Sequence, residues 1–151
     1  MKLRRAKSAD LDAVVALQRA AYAPNQKILG VVPLPLQADY TEIFRSMEVW
    51  LAESSAGLDG VLILEPRAAD LLIWSISTEP VRPHTGLGQK MLAFAEARAR
   101  ELGRDTMRLY TGTLLTHLVQ WYGRHGYTTE RIEQMPDRSA THMIKRLGAT
   151  A

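Results

Sequence analysis

The stretch Ile73–Leu92, IWSISTEPVRPHTGLGQKML, joins an apolar segment to the strongest amphipathic helix pattern in the chain. Its apolar part belongs to Asp70–Thr78, which is typical of a central strand buried on both faces. Pro80 and Pro83 bend the chain after that strand, and Gly86-Leu87-Gly88 opens the helix. A strand, a glycine-containing loop and a helix in this order indicate an α/β sheet.

The glycine-containing loop has the chemistry of an anion site. Backbone amides at a helix N-terminus are unpaired, and the helix dipole attracts negative charge there. Gly86 and Gly88 would let a phosphate approach that backbone, although a plain turn entering a helix fits the same residues. A P-loop is excluded because Gln89 follows the second glycine, and a dinucleotide fingerprint is excluded because Met91 takes the place of its third glycine.

Working outward from this unit, hydrophobic periodicity predicts the other elements. A short strand over residues 1–6 precedes a helix that begins after Ser8 and that Pro24 should end. The remaining predicted elements are an apolar loop over Asn25–Gln37, a helix over Asp39–Met47, strands over Val49–Glu53 and Val61–Leu64 separated by a Ser54–Gly60 turn, a helix over Leu87–Leu102, a strand over Met107–Thr111, a helix over Leu114–Arg124, and closing strands over Tyr127–Gln134 and His142–Arg146. The predicted order is β-α-α-β-β-β-α-β-α-β-β, in one domain spanning residues 1–151.

Composition excludes several classes of protein. The 151 residues include no cysteine, which rules out disulfides, thiol nucleophiles and cysteine-ligated metals. No apolar run is long enough for a membrane helix, and the basic N-terminus lacks the apolar region of a secretory signal, so we expect a cytoplasmic protein. The net charge is +3 with arginines spread among acids, which argues against nucleic-acid binding. The four histidines lack the spacing of metal ligands, so no metal is expected.

Two further motifs follow the glycine loop. They are Leu109-Tyr110-Thr111 and Trp121-Tyr122-Gly123-Arg124-His125-Gly126-Tyr127. Together with the loop they resemble the GNAT N-acetyltransferase superfamily, whose acetyl-CoA loop reads Gln/Arg-x-x-Gly-x-Gly/Ala and whose later helix carries a Tyr-x-x-x-Gly-Phe/Tyr signature. The N-terminal part, with Asp39-Tyr40, is similar to uncharacterised bacterial members. The resemblance covers essentially the whole chain.

The resemblance implies a GNAT-like fold, with a mixed, mostly antiparallel central sheet flanked by helices. It also implies acetyl-CoA as co-substrate, an amine-bearing small molecule or peptide as acceptor, and a homodimer. On that basis Tyr122 would protonate the departing thiolate, and the amides of Ile76, Ser77 and Thr78 would hold the pantetheine arm. The residues implied to bind the pyrophosphate are Pro83, His84, Thr85, Gly86, Leu87, Gly88 and Gln89.

The sequence departs from the superfamily pattern at three places. Pro83 stands where the loop has Gln or Arg, Trp74 stands where related strands often carry an acid, and Leu115 or Leu118 replaces a frequent Asn. The general base therefore stays open among Asp70, Glu79, His117 and water. Candidates for an acceptor pocket are Tyr22, Trp50, Trp74 and the segment Ile28–Leu36.

Three functions are compatible with these residues. The first is an acetyl-CoA-dependent N-acetyltransferase. The second is a non-catalytic acyl-CoA-binding module or sensor on the same fold, which the missing acid would favour. The third is a basic adaptor or nucleic-acid-binding domain without a cofactor.

Overall fold

The computed structural model describes residues 2–148, which fold around one seven-stranded sheet. Its strands are Leu3–Arg5 (β1), Glu48–Ser54 (β2), Gly57–Pro66 (β3), Leu71–Thr78 (β4), Thr106–Gly112 (β5), Thr128–Gln134 (β6) and Ser139–Arg146 (β7). They lie in the order β1-β2-β3-β4-β5-β7-β6. β4 and β5 are parallel, and every other neighbouring pair is antiparallel. The prediction of a mixed, mostly antiparallel sheet with Asp70–Thr78 at its centre is confirmed.

Helices cover both faces of this sheet. They are Leu11–Leu29 (α1), Leu34–Gln37 (α2), Tyr40–Ser46 (α3), Leu87–Glu101 (α4) and Thr116–Arg124 (α5), and a 3-10 turn over Ser8–Asp10 precedes α1. Alternate β3 residues point to opposite faces, so Val61 and Ile63 pack with α1 and α3 while Leu62 and Leu64 pack with α4. Two apolar layers therefore hold the sheet between the helices.

The first helix is longer than the sequence predicted. Pro24 lies inside α1 and does not end it. The helix ends at Gly30, whose left-handed φ of 73° and N–H bond to the Gln26 carbonyl form a C-terminal cap. An internal proline costs roughly 3 kcal/mol, and the turn beyond it offsets part of this cost because the half-buried Leu29 packs against the end of β5. The predicted loop over Asn25–Gln37 is therefore wrong at residues 25–29, which belong to α1, and at Leu34–Gln37, which form α2. The other predicted elements appear in the predicted order.

The hairpin between β2 and β3 is tighter than the predicted Ser54–Gly60 turn. Ser54 pairs directly with Gly57, which leaves a two-residue connection. Gly60 is not a turn residue but lies within β3. A Cβ at Gly60 would lie 3.0 Å from the Met91 sulfur, so close packing against α4 explains this glycine.

Within residues 2–148, none of the helices combines the length and the apolar character that crossing a bilayer requires.

Candidate functional site

The central strands β4 and β5 separate halfway along their length. Their parallel pairing covers three residue pairs and ends where Ile73 lies opposite Leu109. Beyond that point, within the described part of the chain, the segment Ser75–Thr78 pairs only with β3. The edge of β4 that faces β5 therefore keeps free backbone N–H and C=O groups in the middle of the molecule.

A β-bulge at Trp74 accounts for this separation. Ile73 pairs with Leu64 and Ser75 pairs with Ile63, so Trp74 is an extra residue that has no pairing partner on β3. A bulge bends its strand and increases the local twist, which turns the end of β4 away from β5. The extra residue also changes which side chains face each helix layer: Ile73 belongs to the α4 core, while Ser75 hydrogen-bonds to α1.

A cavity of about 350 Å³ occupies the space between the separated strands. One wall is the end of β4, and the opposite wall is β5 with the start of α5. Its lining residues include Tyr22, Asn25, Leu29, Pro33, Leu34, Trp74, Ser75, Ile76, Ser77, Thr78, Tyr110, Leu115, His117, Leu118, Tyr122, Met135 and Arg138. An elongated ligand lying here could hydrogen-bond along the open edge of β4.

Tyr122 reaches this cavity because of the way α5 ends. Gly126, at a left-handed φ of 94°, donates its N–H to the Gly123 carbonyl, and the N–H of Tyr127 bonds back to the Tyr122 carbonyl at 3.1 Å. The Tyr127 ring then packs edge-on against the Tyr122 ring at 5.8 Å. The glycine and the following tyrosine of the sequence motif thus fix the orientation of Tyr122.

The Tyr122 side chain is buried, with 8% of the residue exposed, and its ring lines the cavity. No residue within 2–148 hydrogen-bonds to its hydroxyl. Burial raises the pKa of Tyr122 above its ordinary value, and the nearby Tyr22 raises it further. The phenol is therefore protonated at neutral pH and free to donate.

A buried polar network between β4 and α1 was not predicted. Gln18 is fully buried, and its side-chain amide donates to Tyr40 and to Ser75, each at 3.1 Å, while it accepts from Ser77. Ser75 also hydrogen-bonds to the Tyr22 hydroxyl at 2.6 Å. Burial raises the pKa of Tyr22 to about 12. The network fixes α1 and the start of α3 to β4, and Tyr22 is its end in the cavity.

One signal in the sequence could have revealed this network. Gln18 falls on the apolar face of α1, between Val14 and Tyr22. A polar residue at such a position must find buried partners. The hydroxyls of Ser75 and Ser77 lie in a segment whose apolar neighbours gave no reason to single them out for side-chain bonding.

The predicted cofactor residues lie in two places. Ile76, Ser77 and Thr78 line the cavity, and the Ser77 side chain points away to Gln18, which leaves its backbone for a ligand. The loop Pro83–Gln89 does not line the cavity. It leads into α4, with Gly86 as the N-cap residue at a left-handed φ of 73°.

The start of α4 nevertheless adjoins the site. Gly88 faces the Trp121 ring at 3.5 Å from where its Cβ would lie, and Trp121 precedes Tyr122 on α5. Lys90 is the first residue of α4 whose amide is bonded within the helix, to the Gly86 carbonyl. Within the described residues the preceding amides of Leu87 and Gly88 have no hydrogen-bond partner, and they lie at the positive end of a fifteen-residue helix.

The segment before α4 is held by an acid. The Glu79 carboxylate accepts the backbone N–H groups of Val81 and Arg82, both at 2.7 Å, which lowers its pKa. Arg82 is paired in turn with Asp59 on β3. The His84 ring is mostly buried here, and its Nε2 lies 3.6 Å from Glu79 without a hydrogen bond. Glu79 thus organises the loop and is unsuited to deprotonating an amine.

The other proposed bases differ in position. Asp70 lies outside the cavity lining, where it accepts two hydrogen bonds from Arg67 and one from Arg108, and these guanidinium groups lower its pKa. His117 is exposed and lines the cavity. Of the three candidates, only His117 lines the same cavity as Tyr122.

Only some of the residues suggested for an acceptor pocket line the cavity. Tyr22, Trp74 and part of the segment 28–36 line the cavity. Trp50 does not: it packs against Phe94 at 4.9 Å on the α4 face. Neighbouring positions on one strand alternate between faces, and Trp50 lies on the face away from α1. Arg138 and Met135, which sequence reasoning missed, complete the wall.

Metal-ligating side chains do not cluster in the described part of the chain.

Comparison with solved structures identifies the fold. The chain is similar to the ribosomal-protein-S18-alanine N-acetyltransferase from Escherichia coli, with a TM-score of 0.78 and 14% identity over 99% of this chain and 96% of that one. It is similar to a GNAT family acetyltransferase from Elizabethkingia anophelis with acetyl-CoA bound, with a TM-score of 0.75 and 15% identity over 97% of each chain. It is also similar to PaiA N-acetyltransferase from Thermoplasma acidophilum in complex with coenzyme A, with a TM-score of 0.76 and 16% identity over 96% of this chain and 98% of that one.

These likenesses show that the chain has the GNAT fold, as the sequence motifs predicted. Neither a protein-family model nor a curated protein matches the sequence.

Proposed function

We propose that the protein is an acetyl-CoA-dependent N-acetyltransferase. The observation that carries this proposal is the opening between β4 and β5, which places an unpaired strand edge opposite a free, protonated phenol. The solved structures of similar fold that bind acetyl-CoA or coenzyme A support it.

The chain has groups suited to both parts of an acyl-CoA. The free backbone groups of 76–78 match the amide-containing pantetheine arm, which would add to β4 as a short extra strand. The unpaired amides at the start of α4 match the pyrophosphate, and Gly86 and Gly88 leave their backbone open to it. Because the start of α4 packs against α5, both parts can be held by one ligand that passes Tyr122.

The chemistry needs three tasks from the protein. Bound acetyl-CoA supplies a thioester carbonyl that an amine nitrogen can attack, with the thiolate as leaving group. Backbone N–H groups near Ile76 orient that carbonyl and stabilise the negative charge that develops on its oxygen. As the new C–N bond forms and the C–S bond breaks, Tyr122 donates its phenolic proton to the sulfur, and the proton lost from nitrogen leaves through His117 or water.

The test compares Tyr122→Phe with the unmodified protein. Thiol release is followed with acetyl-CoA and a panel of amines, and cofactor binding is followed by thermal stabilisation. Tyr122→Phe keeps the ring and removes the donor, so kcat should fall about 100-fold or more while CoA affinity stays within a few-fold. His117→Ala, on the same helix, tests the alternative proton route, and we expect it to keep more of the rate than Tyr122→Phe.

Two outcomes would contradict the proposal, in part or in whole. Equal rates for Tyr122→Phe and the unmodified protein would show that Tyr122 is only a packing residue. Failure of acetyl-CoA to raise the unfolding temperature would contradict the whole proposal.

Stabilisation by CoA without thiol release from any amine would favour the second candidate, a non-catalytic acyl-CoA-binding module. One observation speaks for it: within residues 2–148 the cavity lining contains no carboxylate to act as base.

A further inference from the structure

The composition of the cavity wall bears on the acceptor amine, and the inference drawn from it rests on the proposed transferase function. Four aromatic side chains line the cavity, and aliphatic side chains and prolines form most of the rest. The aromatic residues are Tyr22, Trp74, Tyr110 and Tyr122. Such rings bind other rings in edge-to-face or offset arrangements.

The one lining residue within 2–148 with a permanent charge is Arg138, and that charge is positive. Its guanidinium donates to the Val32 carbonyl at 2.7 Å and pairs with Asp137 at 3.0 Å. The Arg138 side chain is 10% exposed, whereas the Asp137 side chain is 56% exposed and is not part of the lining. The cavity is therefore lined by one member of this ion pair, the guanidinium, and the carboxylate partner faces solvent.

Exposed apolar side chains belong to residues that line the cavity or that are next to lining residues in the chain. Leu34 lines it and is 37% exposed, while Ile28 and Leu114 are about half exposed. Ile28 precedes the lining residue Leu29, and Leu114 precedes Leu115; both lining leucines approach Gly112 at the end of β5. We call Ile28, Leu34 and Leu114 the apolar rim. Exposed apolar side chains gathered at a cavity mark a surface that receives an apolar ligand.

The positions of the candidate bases also favour an acceptor whose amine is neutral at pH 7. Asp70 and Glu79 are engaged in hydrogen bonds outside the cavity lining. Without a carboxylate to accept its proton, an alkylamine with a lysine-like pKa is neutral in only about 4 molecules in 10,000 at pH 7. An arylamine is neutral at that pH, so its nitrogen lone pair is available without a base.

We propose that the acceptor is an apolar arylamine, bound among the aromatic side chains and admitted across the apolar rim. Its nitrogen lone pair attacks the thioester carbon, the C–S electron pair goes to the sulfur, and Tyr122 supplies the proton that makes the thiol. The N–H proton passes to water, and the phenol regains a proton from water. The products are an N-aryl acetamide and CoA. A polycationic amine is disfavoured because no acid in the described lining attracts it.

The experiment measures kcat/KM for thiol release with three probes: 4-methylaniline, 4-methylbenzylamine and spermidine. At pH 7 we expect the order 4-methylaniline, then 4-methylbenzylamine, then spermidine. Between pH 6.5 and 8.5 the rate with 4-methylaniline should stay nearly constant, whereas that with 4-methylbenzylamine should rise about tenfold per pH unit, since only its neutral form reacts. Spermidine as the best substrate, or a flat profile with 4-methylbenzylamine, would overturn the proposal.

A charge placed on the apolar rim provides a second test. Leu34→Glu should raise the spermidine rate relative to that with 4-methylaniline by about fivefold or more, because a partly exposed carboxylate then attracts the cation. Ile132→Glu is the matched control, because Ile132 is 47% exposed on β6 and does not line the cavity. The ratio of the spermidine rate to the 4-methylaniline rate should therefore not change in this variant. An unchanged ratio in Leu34→Glu would show that the rim does not contact the acceptor.

Thermal stabilisation by acetyl-CoA distinguishes a failure of the arylamine proposal from a failure of the transferase function itself. If acetyl-CoA binds and any other amine is acetylated while 4-methylaniline is not, the transferase function stands and the arylamine proposal fails. If acetyl-CoA binds and no amine reacts, the arylamine proposal also fails. If acetyl-CoA does not bind, the transferase function itself fails.

Discussion

Replacing Gln18 by leucine tests the buried network that fixes α1 to β4. Leucine is close to glutamine in size and apolar, so the change removes hydrogen bonds while keeping most of the packing. Ser77 loses its one acceptor among the described residues. Ser75 keeps its bond to Tyr22, and Tyr40 keeps its bond to the Pro35 carbonyl.

The size of the effect follows from this difference. Leaving the buried Ser77 hydroxyl without a partner costs about 2 kcal/mol, and the bonds lost at Ser75 and Tyr40 cost about 0.5 kcal/mol each because both groups keep another partner. Burial of the leucine methyl groups returns about 1 kcal/mol. The free energy of unfolding should therefore fall by about 2 kcal/mol, which corresponds to a fall in Tm of roughly 4–8 °C for a domain of this size.

Urea denaturation followed by circular dichroism measures this free energy. The control is the double variant Gln18→Leu with Ser77→Ala, in which the orphaned hydroxyl is also removed. It should be more stable than Gln18→Leu alone, by about 1 kcal/mol. If Gln18→Leu unfolds within about 0.5 kcal/mol of the unmodified protein, or if Ser77→Ala lowers its stability further, the network does not hold α1 as described.

Three other predictions concern the site and its surroundings. Gly88→Val should abolish stabilisation by CoA while the protein alone stays folded; unlike Gly86, this glycine has no left-handed φ, and equal CoA affinity in the variant would contradict the loop assignment. Asp70→Asn should lower the free energy of unfolding by about 1–3 kcal/mol, measured by urea denaturation, with kcat little changed, because the Arg67 guanidinium loses its carboxylate partner and Arg108 keeps only Glu130; a loss of kcat without a loss of stability would instead make Asp70 the base. Each single histidine should be replaceable by alanine with less than about a 100-fold loss of rate, and a larger loss would identify a general acid or base; the four variants are at His84, His117, His125 and His142.

The sequence contained enough to predict the fold and the helix that carries Tyr122. Helix and strand periods in α4 and β4 gave the central unit, and the Tyr122 motif has a local cause, the left-handed turn at Gly126. Such features depend on residues close together in the chain. They can therefore be recognised without knowing the tertiary structure.

The remaining features depend on contacts between distant segments. Pro24 was expected to end α1, and only the packing of Leu29 beside Gly112 shows why the helix continues. The bulge at Trp74 is a property of pairing with β3, which the residues of β4 alone do not specify. Arg138 reaches the cavity by bonding to a carbonyl 106 residues away, so no local pattern could place it there.

The short pairing between β4 and β5 has a mechanical consequence. The sheet is joined at its centre by three residue pairs, whereas β5 and β7 share seven. This line is where the two halves of the sheet can most easily part, and amides along it should exchange with deuterium faster than those of β7. A ligand bonded along β4 and held by α5 would span the gap and slow that exchange. Ligand binding in the cavity would then also make the whole sheet more rigid, so the rate of deuterium exchange along this line would report how much of the protein has ligand bound.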